Sequence, residues 1–273
     1  MPWRFDQASN VGGRREQQDR VGVFSVREEE RHLIVVADGM GGHRDGAVAA
    51  DTVLATAERA FASGGQQAPQ ELLSELCAAA HRSVKALGPG GGKSPGSTCV
   101  LLYLCGAEAY WAHIGDSRLY HFRDGHTQFA TVDHSLQELM KVHGDGAAGD
   151  PGANALRHRL YMRLGGAREP EATFGSTMVL PGDLFLLCSD GFWASVSPAE
   201  TTSLMGDGAF PEGSAHSLVA LARMRGGKRG DNIGLALAQW RPERSLLRPL
   251  FQQFLSRLKR RRRASPSRAA MTP

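Results

Sequence analysis

The sequence predicts an α+β fold in which antiparallel β-sheets are flanked by helices, and three observations carry that prediction. Short apolar runs rich in β-branched or aromatic residues recur along the 273 residues, as buried strands require. Runs with helical spacing alternate with them in blocks and not one for one, which argues against a regular βαβ winding. The strand runs between 99 and 122 follow one another so closely that tight antiparallel turns must join them.

In chain order, strands are expected at 33–36, 99–104, 109–114, 119–122, 184–188 and 233–238, and helices at 47–61, 69–87, 135–142 and 214–224. Several strands are apolar on both faces, the pattern of a sheet covered on two sides. Pro69 suits a helix start, where its missing N–H costs nothing, and Gly88 suits a stop. Gly/Pro-rich 88–96 and 144–152 read as exposed loops within one domain, and no solenoid-like repeat occurs.

Hydrophobic residues at 41% and charged residues at 22% exclude a disordered or collagen-like chain. The four cysteines, Cys77, Cys99, Cys105 and Cys188, form no CxxC pair, so neither a disulfide framework nor a cysteine zinc site is indicated. Met1-Pro2-Trp3-Arg4-Phe5-Asp6 lacks an apolar signal core, and no stretch approaches the roughly 18 apolar residues of a membrane span. A cytoplasmic, monomeric protein is the expectation.

The net charge of +4 is unevenly spread. Residues 241–273 hold ten Lys/Arg against Glu243 alone, a net +9, which leaves −5 on residues 1–240. A mildly acidic body without interleaved aromatic and basic residues argues against a nucleic-acid binder. A domain over 1–240 followed by a basic tail over 241–273 is expected. In the tail, Leu246, Leu247, Leu250, Phe251, Phe254, Leu255 and Leu258 recur at helical spacing before five consecutive cations at 259–263. Such a helix could rest on an anionic membrane surface, making the protein membrane-peripheral, on an acidic partner, or back on the preceding domain, and disorder is expected after 264.

The acids fall at strand ends. Residues 33–37 run into Asp38-Gly39, residues 184–189 run into Asp190-Gly191, and Asp231-Asn232 opens the run from 233. Asp116 follows the 109–114 run, and Asp19 closes Arg14-Arg15-Glu16-Gln17-Gln18-Asp19. Carboxylates converging at one end of rigid strands repel unless a cation neutralises them, and hard divalent ions such as Mg²⁺ or Mn²⁺ take oxygen ligands of this kind. The glycine after Asp38 permits a close approach, so its carbonyl is a further candidate oxygen. A single Asp-Gly is ordinarily a turn, and the case rests on the set.

Gly13 to Asp19, Asp38-Gly39-Met40-Gly41-Gly42-His43, Gly96-Ser97-Thr98, Gly115-Asp116-Ser117-Arg118, Asp133-His134-Ser135, Leu164-Gly165-Gly166, Ser189-Asp190-Gly191 and Asp231-Asn232 occur in that order. The series resembles the metal-dependent protein serine/threonine phosphatases of the PPM, or type 2C, family in their bacterial form, over residues 10–240. The resemblance implies a four-layer αββα fold, a β-sandwich of two packed antiparallel sheets with helices outside, and two Mn²⁺ or Mg²⁺ ions at one end. It implies that Asp38 bridges the two ions, that Gly39 lends its carbonyl, and that Asp190 and Asp231 complete the first site. Asp19 would order metal-bound water, Arg14 would grip the substrate phosphate, and Asp116 with Asp190 would hold a third, weaker ion. Phosphoserine and phosphothreonine proteins become the implied substrates, with a cognate kinase opposing, and water is delivered in line without a phosphoenzyme.

Met40 stands where some relatives carry a histidine proposed as general acid, and a thioether donates no proton. Metal-bound water or His43 is the alternative donor. Gln18 replaces a glutamate common in relatives, at the cost of one negative charge. A regulatory binding module that keeps the fold without turnover is the rival reading, and the retained Asp38, Asp190 and Asp231 oppose it.

Other patterns read more plainly. Gly88 to Ser94 misses the phosphate-loop pattern because Leu87 stands where a glycine is needed. Thr98 reads as a packing or hydrogen-bonding residue of its strand, Asp133-His134-Ser135 as a turn and helix cap, and Trp193 as core or site wall. Residues 135–166 occupy the place of the family's flap, a variable insert beside the active site.

Overall fold

The computed structural model describes residues 2–26, 29–41, 44–63, 67–88, 94–143, 156, 159–206 and 210–241. The strands are β1 Trp3–Asn10, β2 Asp19–Val26, β3 Arg31–Met40, β4 Gly96–Ser97, β5 Cys99–Cys105, β6 Glu108–Ile114, β7 Arg118–Arg123, β8 His126–Ala130, β9 Thr173–Met178, β10 Leu184–Cys188 and β11 Ile233–Trp240. The helices are α1 Arg44–Ser63, α2 Pro69–Lys85, α3 Leu136–His143, α4 Asp190–Trp193, α5 Pro198–Met205 and α6 Ser214–Gly226. One sheet runs β1-β11-β10-β7-β8 and the other β2-β3-β5-β6-β9, with β4 beside β3. Every pairing is antiparallel.

Three apolar seams hold four layers together. Along β3, Leu33, Val35 and Ala37 meet α1 and α2 with Val53, Phe61, Leu73 and Leu76, while Ile34 and Val36 face the other sheet and meet Phe185, Leu187 and Ala236. Along β10 the outward residues Leu184, Leu186 and Cys188 join Leu218, Val219 and Ala222 of α6. Both faces of these strands are therefore dry, which is why they read as unbroken apolar runs. Fully burying one such Leu or Phe contributes about 1.5–3 kcal/mol. The expected sandwich and its flanking helices are both present.

The six strands expected from apolar runs are all found, and β1, β2, β8 and β9, which no run announced, are the four sheet edges. An edge strand is partly open to solvent, and β8 (HTQFA) is exposed over most of its length, so its sequence carries little apolar signal. Helix α5 was also unannounced. It opens with a reciprocal cap in which Ser197 and Glu200 satisfy each other's backbone N–H groups and Pro198 takes the first turn. Pro69 starts α2 as expected; the helix ends at Lys85, shortly before Gly88 turns the chain with φ +71°. The expected loop at 144–152, most of that at 88–96, His43 and residues 242–273 lie outside the described residues.

Candidate active site

Sheet geometry brings the predicted acids to one end of the sandwich. Antiparallel pairing of β2 and β3 sets Asp19 directly opposite Asp38, and β10 runs through Ser189 into Asp190, the first residue of α4. Asp116 lies two residues before β7, and Asp231 two residues before β11. Charge from Asp19, Asp190, Asp116 and Asp231 acts on Asp38, so all five carboxyls share one neighbourhood.

Backbone anchors fix Asp38. Its N–H donates to Thr98 Oγ1 at 3.0 Å, and its carbonyl accepts from Thr98 N–H at 2.9 Å and from Ser97 Oγ at 3.0 Å. Gly39 N–H donates to the Gln18 carbonyl at 3.2 Å. The residue must be glycine because a Cβ there would stand 1.9 Å from the Gly46 carbonyl oxygen of α1. The Gln18 side-chain oxygen lies in the same pocket, 2.7 Å from where a Cβ on Gly46 would fall, as does the Gly39 carbonyl at 2.8 Å.

Arg14 reaches the acids from the loop between β1 and β2. Its Nη2 lies 2.6 Å from Asp231 Oδ2, with 58% of its side chain exposed. Asn232 ties that loop down: Nδ2 donates to the Val11 carbonyl at 2.8 Å and to the Glu16 carbonyl at 3.0 Å, and Oδ1 accepts from Gln18 N–H at 2.8 Å. All seven predicted positions, Arg14, Asp19, Asp38, Gly39, Asp116, Asp190 and Asp231, thus gather at this end. Residue patterns did not single out their supports Ser189, Asn232, Ser117 and Ser97 as such; for the first three, a small polar residue next to an acid was the available signal. Thr98, between β4 and β5, takes the hydrogen-bonding one of the two roles expected of it. Trp193 is buried beside the site, its Nε1–H donating to the Asp116 carbonyl at 2.8 Å.

Burial dominates the electrostatics. Asp19 is 2% exposed; its pKa is pushed up to about 8 by burial and by the charges of Asp190 and Asp231, against the Ser189 hydroxyl, which donates to Asp19 Oδ2 at 2.6 Å. Asp38, hydrogen-bonded to Asp19, is raised well above the ordinary carboxylate range by burial first and then by the neighbouring acids. Among the described residues no three acids, histidines or cysteines yet close on a common point; Asp231 is turned to Arg14 and Asp19 to Ser189. The donor set is oxygen throughout and carries more negative charge than the fold can bury unaided, which fits a hard divalent cation.

The same shift sets a pH dependence. Between 3.8 and about 8 the folded chain holds a proton on Asp19 that the unfolded chain has released, so stability falls as pH rises through that window. Thermal unfolding in chelator is expected at a lower temperature at pH 8 than at pH 5, with the difference reduced in Asp19→Asn. An equal pH dependence in both proteins would assign the effect elsewhere.

The model of the protein phosphatase 2C family matches residues 7–218. The chain belongs to that family. Protein phosphatase PhpP of Streptococcus pneumoniae is 29% identical over 241 residues, covering 86% of this chain and 96% of that protein. The serine/threonine phosphatase structure from S. agalactiae superimposes with a TM-score of 0.79 at 26% identity, covering 87% of this chain and 99% of that one. The catalytic domain of PstP, solved in complex with two manganese ions, gives a TM-score of 0.68 at 29% identity over 88% of this chain and 99% of that one. As a type 2C family member the chain is a protein phosphatase of the serine/threonine class, a hydrolase. Among its described residues no helix is long and apolar enough to cross a membrane.

Proposed function

We propose that the chain hydrolyses phosphoserine and phosphothreonine on proteins, opposing a protein kinase, with two Mn²⁺ or Mg²⁺ ions at the acid-lined end of the sandwich. The observation that carries the reading is the cross-strand Asp19–Asp38 pair, buried and held above the ordinary carboxylate range, with Asp116, Asp190 and Asp231 around it. Asp38, the Gly39 carbonyl, Asp190 and Asp231 would hold the two ions, and Asp116 with Asp190 would hold a third. When bound, the ions supply a water acidic enough to attack phosphorus at neutral pH. Asp19, anchored by Ser189, accepts hydrogen bonds from water in the centre. Arg14, more than half exposed, exchanges its carboxylate partner Asp231 for two oxygens of the substrate phosphate, a match for the guanidinium fork that lysine lacks. Met40 offers no proton, so the leaving alkoxide takes its proton from water or from His43.

The PstP catalytic domain with two manganese ions supports the cofactor assignment, and the end of β11 at Trp240 supports a phosphatase unit over 1–240. A monomeric unit and a basic tail that meets a membrane surface or an acidic partner complete the proposal. Phosphate release from a phosphothreonine peptide is expected to require Mn²⁺ or Mg²⁺ and to fall by at least about 10²-fold in Asp190→Asn, the scale at which one preorganised charge contributes. Folded protein without turnover in either metal would overturn the assignment in favour of a phosphoprotein-binding module.

A further inference from the structure

The Asp133-His134-Ser135 turn has a capping function, since Ser135 Oγ accepts from Glu138 N–H at 3.3 Å at the start of α3. Capping engages neither of the other two side chains. Both reach the turn that carries Asp116.

His134 holds the two polar groups of Gly115. The Gly115 N–H donates to His134 Nδ1 at 3.2 Å, and the His134 N–H donates to the Gly115 carbonyl at 2.8 Å. With Nδ1 accepting, the ring proton belongs on Nε2, which lies 3.0 Å from Thr173 Oγ1 on β9. The ring is buried and stacks on His113 with centroids 4.4 Å apart and planes 25° apart. Burial, and then the neighbouring His113, lower its pKa to about 4, so Nδ1 stays an acceptor at neutral pH.

Asp133 reaches the next residue through two side chains. It takes the Arg118 guanidinium at 2.7 and 2.8 Å; that guanidinium lies 3.7 Å from the centroid of the Trp193 ring, and Trp193 Nε1–H donates to the Asp116 carbonyl. On the far side, Ser117 Oγ meets Thr98 Oγ1 at 2.7 Å. Gly115 itself sits at φ +103°, and a Cβ there would fall 2.7 Å from the Thr98 side chain. The backbone from 115 to 117 is therefore held by His134, Trp193 and Thr98, and the charge of the Asp116 carboxyl acts on Asp38.

We propose that His134, with Asp133 acting through Arg118 and Trp193, is a positioning residue that fixes the Asp116 carboxyl at the catalytic end. The proposal rests on the phosphatase reading. A residue that served only folding would affect stability without regard to Asp116, whereas a positioning residue acts through it.

The test uses the full chain. His134→Asn keeps an oxygen near the place of Nδ1, His134→Gln puts its amide near the place of Nε2, and His134→Phe keeps the ring without either nitrogen. In chelator, His134→Phe is expected to shift the Trp193 indole N–H resonance, assigned with Trp193→Phe, and to speed hydrogen exchange at the Gly115 amide. In Mn²⁺ it should lower kcat for a phosphothreonine peptide about tenfold with little change in KM, the scale of an outer-shell support. In an Asp116→Asn background the same substitution should cost kcat almost nothing more. Equal losses in both backgrounds, or a wild-type kcat with an unmoved Trp193 resonance, would overturn the proposal. If His134→Phe fails to fold, the remaining pair decides: His134→Asn should recover more of kcat than His134→Gln, and equal values would overturn it. A wild-type chain without turnover would instead overturn the phosphatase reading, and the proposal with it, while wild-type Gly115 protection would still show the grip on the turn.

Discussion

Asp38→Asn is expected to lower kcat for a phosphothreonine peptide by about 10³-fold or more in saturating Mn²⁺, while the chelated protein stays folded. The loss follows from position: Asp38 is the acid that feels all four others, and an amide in its place cannot neutralise divalent charge. The fold survives because the anchors of this residue are backbone groups, its N–H on Thr98 and its carbonyl on Ser97 and Thr98, and an asparagine keeps both. Asp38 is itself held well above the ordinary carboxylate range by burial and the neighbouring acids, so an asparagine there removes that titration and the drop in thermal stability between pH 5 and pH 8 should shrink. Activity within tenfold of wild type would displace Asp38 from the centre of the mechanism.

Gly39→Ala is expected to destabilise the chelated protein by roughly 3 kcal/mol, the upper end for an atom forced into packed space. A Cβ at position 39 would meet the Gly46 carbonyl oxygen at 1.9 Å, its carbon at 2.5 Å and the Gln18 carbonyl oxygen at 2.9 Å. All three are backbone atoms, so no rotamer change can make room and the first turn of α1 must move off β3. For a domain of this size the corresponding fall in Tm is roughly 6–12 °C. Urea unfolding in chelator measures the stability, and a Mn²⁺ titration of activity is expected to shift to higher metal. A Tm within about 2 °C of wild type would show that α1 yields freely there, and the close approach would then not explain the glycine.

How much of this was legible in the sequence follows from burial. Strands such as β10 and β11 are covered on both faces, so residues such as Leu186, Leu187, Leu235 and Leu237 print a continuous apolar signal. Edge strands such as β1, with Arg4, Asp6 and Gln7 at its centre, print almost none. Asp38, Asp116, Asp190 and Asp231 were found because each follows or precedes a strand run, Asp19 because it closes the Arg14 to Asp19 stretch, and their order along the chain matched a family pattern. Their supports were hidden by chain separation: Ser189 reaches Asp19 across 170 positions and Asn232 reaches Gln18 across 214. No local pattern encodes such pairs. The role of Asp133-His134 was missed for a related reason, because a turn and cap account explained the residues before their contacts with 115 and 118 were visible.

The strand order also governs when the molecule can become whole. Residues Trp3–Asn10 pair with Ile233–Trp240, Trp3 opposite Trp240, and that last strand lies between the first strand and Leu184–Cys188. During synthesis the strand at 3–10 must wait for the strand at 233–240 before it finds its hydrogen-bonded neighbour. The helix-backed sheet of β2, β3, β5, β6 and β9 has all its strands by residue 178, so one half of the sandwich can assemble during synthesis with its inner face still uncovered. Pairings so distant in sequence fold slowly, and that exposed face is where a nascent chain would need protection from its neighbours. The site, built from Asp19 and Asp38 on the early half and Asp190 and Asp231 on the late one, comes into being only at closure.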